Sequence, residues 1–272
     1  MKDSNPTNNT SGRSKRSQFD MILLVLAGAM VAYVASPIVN IFNLVNPTSF
    51  IESMVRAELA NAFLLSLITA TISTLLVAIF GIPLAYLLAR SNFKGKFLLR
   101  LIVIVPLVLP PLASGALLLG IFSPYSMLGK AFPLEFTQSA LGVIIAQTYV
   151  ASPFMILPTQ ASFESVDESY EKVARVLGKN RLETFLHVTL PLAKTGILVG
   201  FIMAWVRSVG ELGATMMMAY NPHTISIQIF EDNAVGGLSN ALPAIVLVIV
   251  LSMIALAIFY ALSKEEGLKP IR

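Results

Sequence analysis

Six apolar stretches, each long enough to cross a lipid bilayer, occupy residues 19–42, 61–89, 101–122, 139–161, 192–220 and 241–262. Inside hydrocarbon every backbone N–H and C=O must be paired within the segment, so stretches of this kind fold as helices. With 56% hydrophobic and only 12% charged residues, and with the charges gathered at the ends of the runs, the chain reads as an all-α, multispanning membrane protein. The second run holds no charge over nearly thirty residues, so it must tilt, bend near Gly81 and Pro83, or project beyond the lipid. The third carries Pro106, Pro110 and Pro111, and the fourth Pro153 and Pro158. Carbonyls freed by those prolines need protein or water partners, which marks the third and fourth runs for the bundle interior; simple kinking for shape is the other reading.

Basic residues set the orientation. Lys2, Arg13, Lys15 and Arg16 precede the first run, and Arg90, Lys94, Lys96 and Arg100 separate the second from the third. Lys172, Arg175, Lys179, Arg181 and Lys194 lie between the fourth and fifth, and Lys264, Lys269 and Arg272 end the chain. The alternate loops hold only Arg56 and Lys130, so both termini are expected in the cytoplasm of a cell-membrane protein. The net charge of +4 is accounted for by this topology and calls for no nucleic acid. Residues 1–18, rich in Asn, Ser and Thr, are expected to be a disordered cytoplasmic tail, 19–263 a six-helix membrane domain, and 264–272 a second cytoplasmic tail. Cleavage of the first run as a signal peptide would leave five spans and reverse the inner side, so the run is expected to be retained.

One hydrophilic island, residues 165–191, interrupts this pattern. Ser165-Val166-Asp167-Glu168 has the form of a capping box, after which Val166, Tyr170, Val173, Ala174 and Leu177 recur at helical spacing. Gly178 is expected to close this helix in the left-handed conformation. Asn180-Arg181-Leu182-Glu183 starts a second short helix, and Pro191 is expected to mark its boundary with the fifth run. About a dozen residues make roughly 18 Å of helix, too short for the ~30 Å hydrocarbon core. The first helix therefore lies outside the bilayer, its apolar stripe facing either a partner or its own membrane domain.

Catalytic signatures are missing. The Gly-Lys pairs at Gly95, Gly129 and Gly178 lack the upstream glycine and following hydroxyl of a phosphate loop, so the chain is not its own ATPase. It contains no cysteine, and His187 and His223 lack companions at ligand spacing; no metal or cofactor is expected. Within the runs the one strongly polar pair is Arg207 and Glu211, four apart on what reads as one face of the fifth helix, roughly 22 and 29 Å from its start. A structural ion pair near an outer gate and direct contact with a passing anion are both open. Because the pair largely neutralises itself and no other base lies deep in a run, selectivity is expected to reside in another component.

The island resembles the cytoplasmic loop of ABC importer permeases, Glu-Ala-Ala-x-x-x-Gly, nine residues, then Ile-x-Leu-Pro. Here Lys172-Val173-Ala174-Arg175-Val176-Leu177-Gly178 is followed by nine residues and Val188-Thr189-Leu190-Pro191. Lys172 stands where the glutamate is expected, with Glu171 one position earlier, and Val173 replaces the first alanine. The run around Arg207 is similar to the Ala-Arg-x-x-x-Glu-Phe-Gly-Ala stretch of molybdate/tungstate permeases, with Val206 and Leu212 as departures. Residues 78–90 and 237–243 look like the same group.

The resemblance implies a type I importer permease of six transmembrane helices. Its coupling helix, in the loop 162–191, would dock on a separate ATP-binding cassette ATPase through Tyr170, Glu171, Lys172, Ala174, Arg175, Leu177, Gly178, Leu190 and Pro191. It further implies two ATPase copies, a second permease copy as a homodimer, an extracytoplasmic oxyanion-binding protein, and a pathway or gate role for Arg207 and Glu211. Sulfate, another anion or a metal remains an alternative substrate. An ion-coupled secondary carrier, with Glu211 as its titratable group, is the reading from another class.

Overall fold

The computed structural model describes residues 18–265 apart from Asn46 and Pro133; the expected tails 1–17 and 266–272 lie outside the described residues. Among the described residues the regular structure is all helical, and the chain divides into two units at Asn46/Pro47. The first unit holds α1 (Gln18–Leu44), an apolar helix with Pro37 inside it.

The second unit contains α2 (Pro47–Met54), α3 (Ala57–Arg90), α4 (Lys96–Val108), α5 (Pro111–Phe122), α6 (Met127–Ala131) and α7 (Ala140–Ser165). It continues with α8 (Glu168–Val176), α9 (Arg181–Thr184), a π-helical turn (Phe185–Thr189), α10 (Leu190–Leu192) and α11 (Lys194–Val209). The last three are α12 (Gly213–Met218), α13 (Ile225–Gly236) and α14 (Leu238–Glu265). Five stretches among the described residues are long and apolar enough to cross a membrane: Phe19–Ile41, Ala57–Arg90, Pro111–Ala131, Ala140–Ser165 and Leu238–Ile258. Arg181–Leu192 and Lys194–Val209, bent by 74° to one another, reach the same length and apolarity only when the two are counted together as one span.

Four of the expected spans run as single helices, and two do not. The stretch 101–122 breaks between α4 and α5, where Leu109 is extended (φ −70°, ψ 137°) ahead of two consecutive prolines. Proline disfavours helical backbone in the residue before it, and two in a row remove two N–H donors, so the chain exits the helix and restarts with Pro111 at the first helical position. The stretch 192–220 breaks at Gly210, between α11 and α12. By contrast α7 continues through both Pro153 and Pro158.

The core is a three-helix packing of α3, α7 and α11. Along α3 the buried residues include Ala62, Ser66, Ala70, Ser73, Val77, Gly81 and Ala85, a stripe of small side chains at three- and four-residue intervals that lets α7 approach closely. On α7 the buried face carries Val143, Ala146, Gln147, Val150, Ala151 and Met155. The interior position expected for the fourth run is thus found, whereas α4 buries only Val103 and Pro106.

Elsewhere α5 packs on α12. A Cβ at Gly115 would lie 2.7 Å from the carbonyl oxygen of Ala214 and 2.8 Å from its Cα, so a side chain there must part the two backbones. Gly115→Ala is expected to destabilise the protein by ~1–3 kcal/mol through overpacking. Gly120→Ala, on the same helix with nothing within 4 Å, is expected to leave stability unchanged or slightly raised. Thermal unfolding of the two variants in detergent compares them directly.

Candidate functional site: a pinned loop and an intramembrane ion pair

Between α7 and α11 the chain leaves the bundle. Ser165 is the last residue of α7, its hydroxyl donating to the Ser162 carbonyl at 2.7 Å, so the cap expected at Ser165 falls instead on Asp167. The Asp167 carboxylate accepts from the Ser169 N–H at 2.8 Å, and that bond holds its carboxyl below the usual range. The reason for the shift is that α7 uses Ser165 for its own last turn, leaving Asp167 as the first side chain able to reach a free N–H.

The helix that follows, α8, has nine residues, about 13.5 Å, shorter than expected. Its two faces differ. Glu171 and Ala174 turn inward and are buried, whereas Tyr170, Val173, Val176 and Leu177 are 56%, 58%, 86% and 78% exposed. The apolar stripe is therefore split: Ala174 serves the protein's own packing, and the larger side chains stay free. Gly178 closes the helix at φ +91°, in the left-handed region as expected, with the Lys179 N–H donating to the Ala174 carbonyl at 3.1 Å. Lys172 is exposed and, among the described residues, pairs with Glu168 at 3.7 Å across one turn, a contact of little energetic weight. Arg175 and Gly178 are exposed as well.

The capping box of α9 forms as its residues predict: Asn180 accepts from the Glu183 N–H at 2.8 Å, and Glu183 accepts from the Asn180 N–H at 3.0 Å. Pro191 does not end the helical path. It lies in α10, reached without interruption through the π-helical turn, and the chain turns two residues later at Ala193. Proline at the start of a helical turn lacks only an N–H that would be spare there, which is why it is tolerated. Leu190 packs against the base of the bundle while Pro191 is exposed.

Glu171 is the anchor of this loop. Its carboxylate accepts from Arg90 Nε at 2.8 Å and from the Tyr86 hydroxyl at 3.2 Å, and Arg90 Nη2 also donates to the Val166 carbonyl at 2.6 Å. The Arg90 and Glu171 side chains are only 10% and 7% exposed. Tyr86 is itself held between Phe163 and Phe185, with ring centroids 5.4 and 4.8 Å away. A cavity of about 300 Å³ opens beside this group, lined by Arg175, Arg181, Glu168 and Thr184 among others. Arg90 and Tyr86 are absent from the site residues expected from sequence. Arg90 reads there as one of the topology-setting bases and as the end of the family-like stretch 78–90, and its separation from Glu171 by 81 positions leaves no local signal that pairs them.

The second feature is Arg207 and Glu211. They do not share one helix: α11 ends at Val209, and Glu211 sits in the link before α12. Glu211 is 1% exposed and forms an ion pair with Arg207, whose side chain is 25% exposed. Its other carboxylate oxygen accepts from the Ala214 N–H at 2.7 Å, and the Arg207 guanidinium lies 5.9 Å from the centre of the Phe154 ring. Other groups released by the break are also met by protein: the Ser208 carbonyl accepts from Gln147 Nε2 at 3.0 Å, and the Val209 carbonyl from the Ser226 hydroxyl at 3.3 Å. Gln147 in turn accepts from Ser73 at 3.1 Å, so the link is tied to α7 and, through it, to α3.

Comparison with known proteins places this geometry. Residues 81–265 match the model of the family described as the inner membrane component of binding-protein-dependent transport systems. A probable molybdenum ABC transporter permease protein of Haloferax volcanii is 39% identical over 89% of this chain and 89% of its own length. A molybdate/tungstate transport system permease protein of Pyrococcus abyssi is 35% identical over 89% of this chain and 93% of its own. A chain of a bacterial alginate ABC transporter, solved in complex with an alginate pentasaccharide-bound periplasmic protein, shares the fold with a TM-score of 0.72 at 16% identity, covering 94% of this chain and 99% of that one. The pinned loop and the multispanning bundle thus sit in a chain that belongs to the binding-protein-dependent transport system inner membrane component family.

Proposed function

We propose that this chain forms the translocation pathway of an ATP-driven importer for molybdate- and tungstate-type oxyanions. The observation that carries the reading is the free apolar face of α8: Tyr170, Val173 and Leu177 stand out from a loop whose other face is fixed to the bundle. A helix so held is a docking element for a separate ATPase, and the family of the chain supports that partner. The names of the relatives support the substrate. Two copies of the chain, paired by a twofold axis, would present two such loops to two ATPase subunits, with hydrolysis confined to those subunits. An extracytoplasmic binding protein would deliver the anion. Loop and termini would face the cytoplasm, as the distribution of lysine and arginine demands. Arg207 and Glu211 would line or brace the gate. Glu211 has one oxygen on Arg207 and the other on a backbone N–H, so both are held by the protein itself.

In proteoliposomes that hold this chain, its ATPase and a loaded binding protein, molybdate accumulation is expected to require ATP. It is expected to be competed by tungstate and little affected by sulfate. Accumulation against a gradient by the chain alone, without nucleotide, would falsify the proposal.

A further inference from the structure

The connection between α7 and α8 is only two residues long, Val166 and Asp167, and α8 offers little apolar surface to the bundle, since Ala174 and Glu171 are its buried residues. What fixes the orientation of α8 is therefore polar and comes from a different helix. Arg90, the last residue of α3, closes one bond to Glu171 on α8 and a second to the Val166 carbonyl within the connection itself. The Tyr86 hydroxyl, one turn earlier on α3, adds a third. With both charged side chains at or below 10% exposure, the pair is shielded from the salt screening that weakens surface bridges. On the membrane side, α3 runs unbroken from Ala57 to Arg90 and packs along α7 and α11.

We infer that Arg90 and Glu171 form a latch that makes α8 and α3 one mechanical body, with Arg90 as a positioning residue that passes displacement of the loop into the spanning bundle through α3. The inference rests on the transport reading above, in which force reaches α8 from an ATPase. The covalent path through Val166 and Asp167 alone can fold without moving α7, because two extended residues supply a hinge; the latch removes that freedom at the point where the hinge lies. Arg90 is suited to the task in a way lysine is not, since its planar fork serves a carboxylate and a carbonyl at once.

The test measures molybdate accumulated per ATP hydrolysed in proteoliposomes with ATPase and loaded binding protein. Arg90→Gln is expected to keep ATP hydrolysis within about twofold of the parent, while the transported-to-hydrolysed ratio falls at least ~10-fold, the loss of a buried charge pair at a coupling joint; Glu171→Gln is expected to lower that ratio as far. Arg90→Lys keeps the charge but not the fork and is expected to fall between. Because the chain has no cysteine, the double variant Arg90→Cys/Glu171→Cys supplies a control on folding. It is expected to be uncoupled as made, and a short bifunctional thiol reagent is expected to bring the ratio back to within about threefold of the parent, because the tie and not its chemistry is what matters. A parental ratio in the single variants, or no recovery on crosslinking, overturns the latch. Should the parent chain itself fail to support ATP-dependent uptake, the proposed function falls first; should it succeed and the variants keep its ratio, the latch alone falls.

Discussion

Leu177→Asp is expected to lower ATP-driven uptake at least ~100-fold while leaving membrane insertion and thermal stability unchanged, since a charge buried without a partner in an apolar groove costs several kcal/mol. Leu177 follows the last turn of α8 and is 78% exposed, so in the chain alone a carboxylate at this position meets water. Substitutions at such sites shift stability by no more than about 0.5 kcal/mol. In the proposed docking the same side chain would enter the contact with the ATPase, where a carboxylate would lose its water. The two measurements, uptake and co-purification of the ATPase, should fail together. Uptake at the parental rate would mean that the exposed face of α8 has no partner.

The second large effect concerns stability. Arg207→Ala strands the Glu211 carboxylate at 1% exposure with the Ala214 N–H as its remaining partner, and is expected to destabilise the protein by roughly 3–5 kcal/mol. The same deletion frees the link between α11 and α12, which the carboxylate caps. Replacing both charges at once, Arg207→Met with Glu211→Gln, removes the uncompensated ion while keeping a hydrogen-bond acceptor for Ala214, and should regain most of the loss. Thermal unfolding in detergent reads both. If the single and the double variant unfold at the parental temperature, the pair contributes nothing to the fold, and its place in the membrane is explained by transport alone.

Much of this architecture is legible in the residues, because hydrocarbon leaves a chain few choices. The four spans that run unbroken are marked by their apolar length, although each of them holds a proline. Length does not report where a proline or glycine has a partner. Pro153 and Pro158 are absorbed because α7 is packed between α3 and α11, while Pro110 and Pro111 follow each other directly and the chain yields. Gly210 gives no comparable warning in sequence; its break is stabilised by Glu211, Gln147 and Ser226, which are brought together by packing. Within the loop, Gly178 and the Asn180–Glu183 box act over three or four residues and were therefore readable. The Arg90–Glu171 contact joins distant parts of the chain, and its partners carry no pattern that would pair them.

The unbroken course of α3 has a bearing on the lipid around it. Thirty-four residues make about 51 Å of helix, some 20 Å more than a hydrocarbon core of ~30 Å. Biological bilayers differ in thickness by only a few ångströms. A rod with that surplus accommodates the whole range by sliding a little more or less of its shaft into the headgroups, without tilting afresh or puckering the membrane. Where the outer end takes up the difference, the inner end keeps its standoff from the lipid surface, and the working geometry of the loop it carries changes little from one membrane to another.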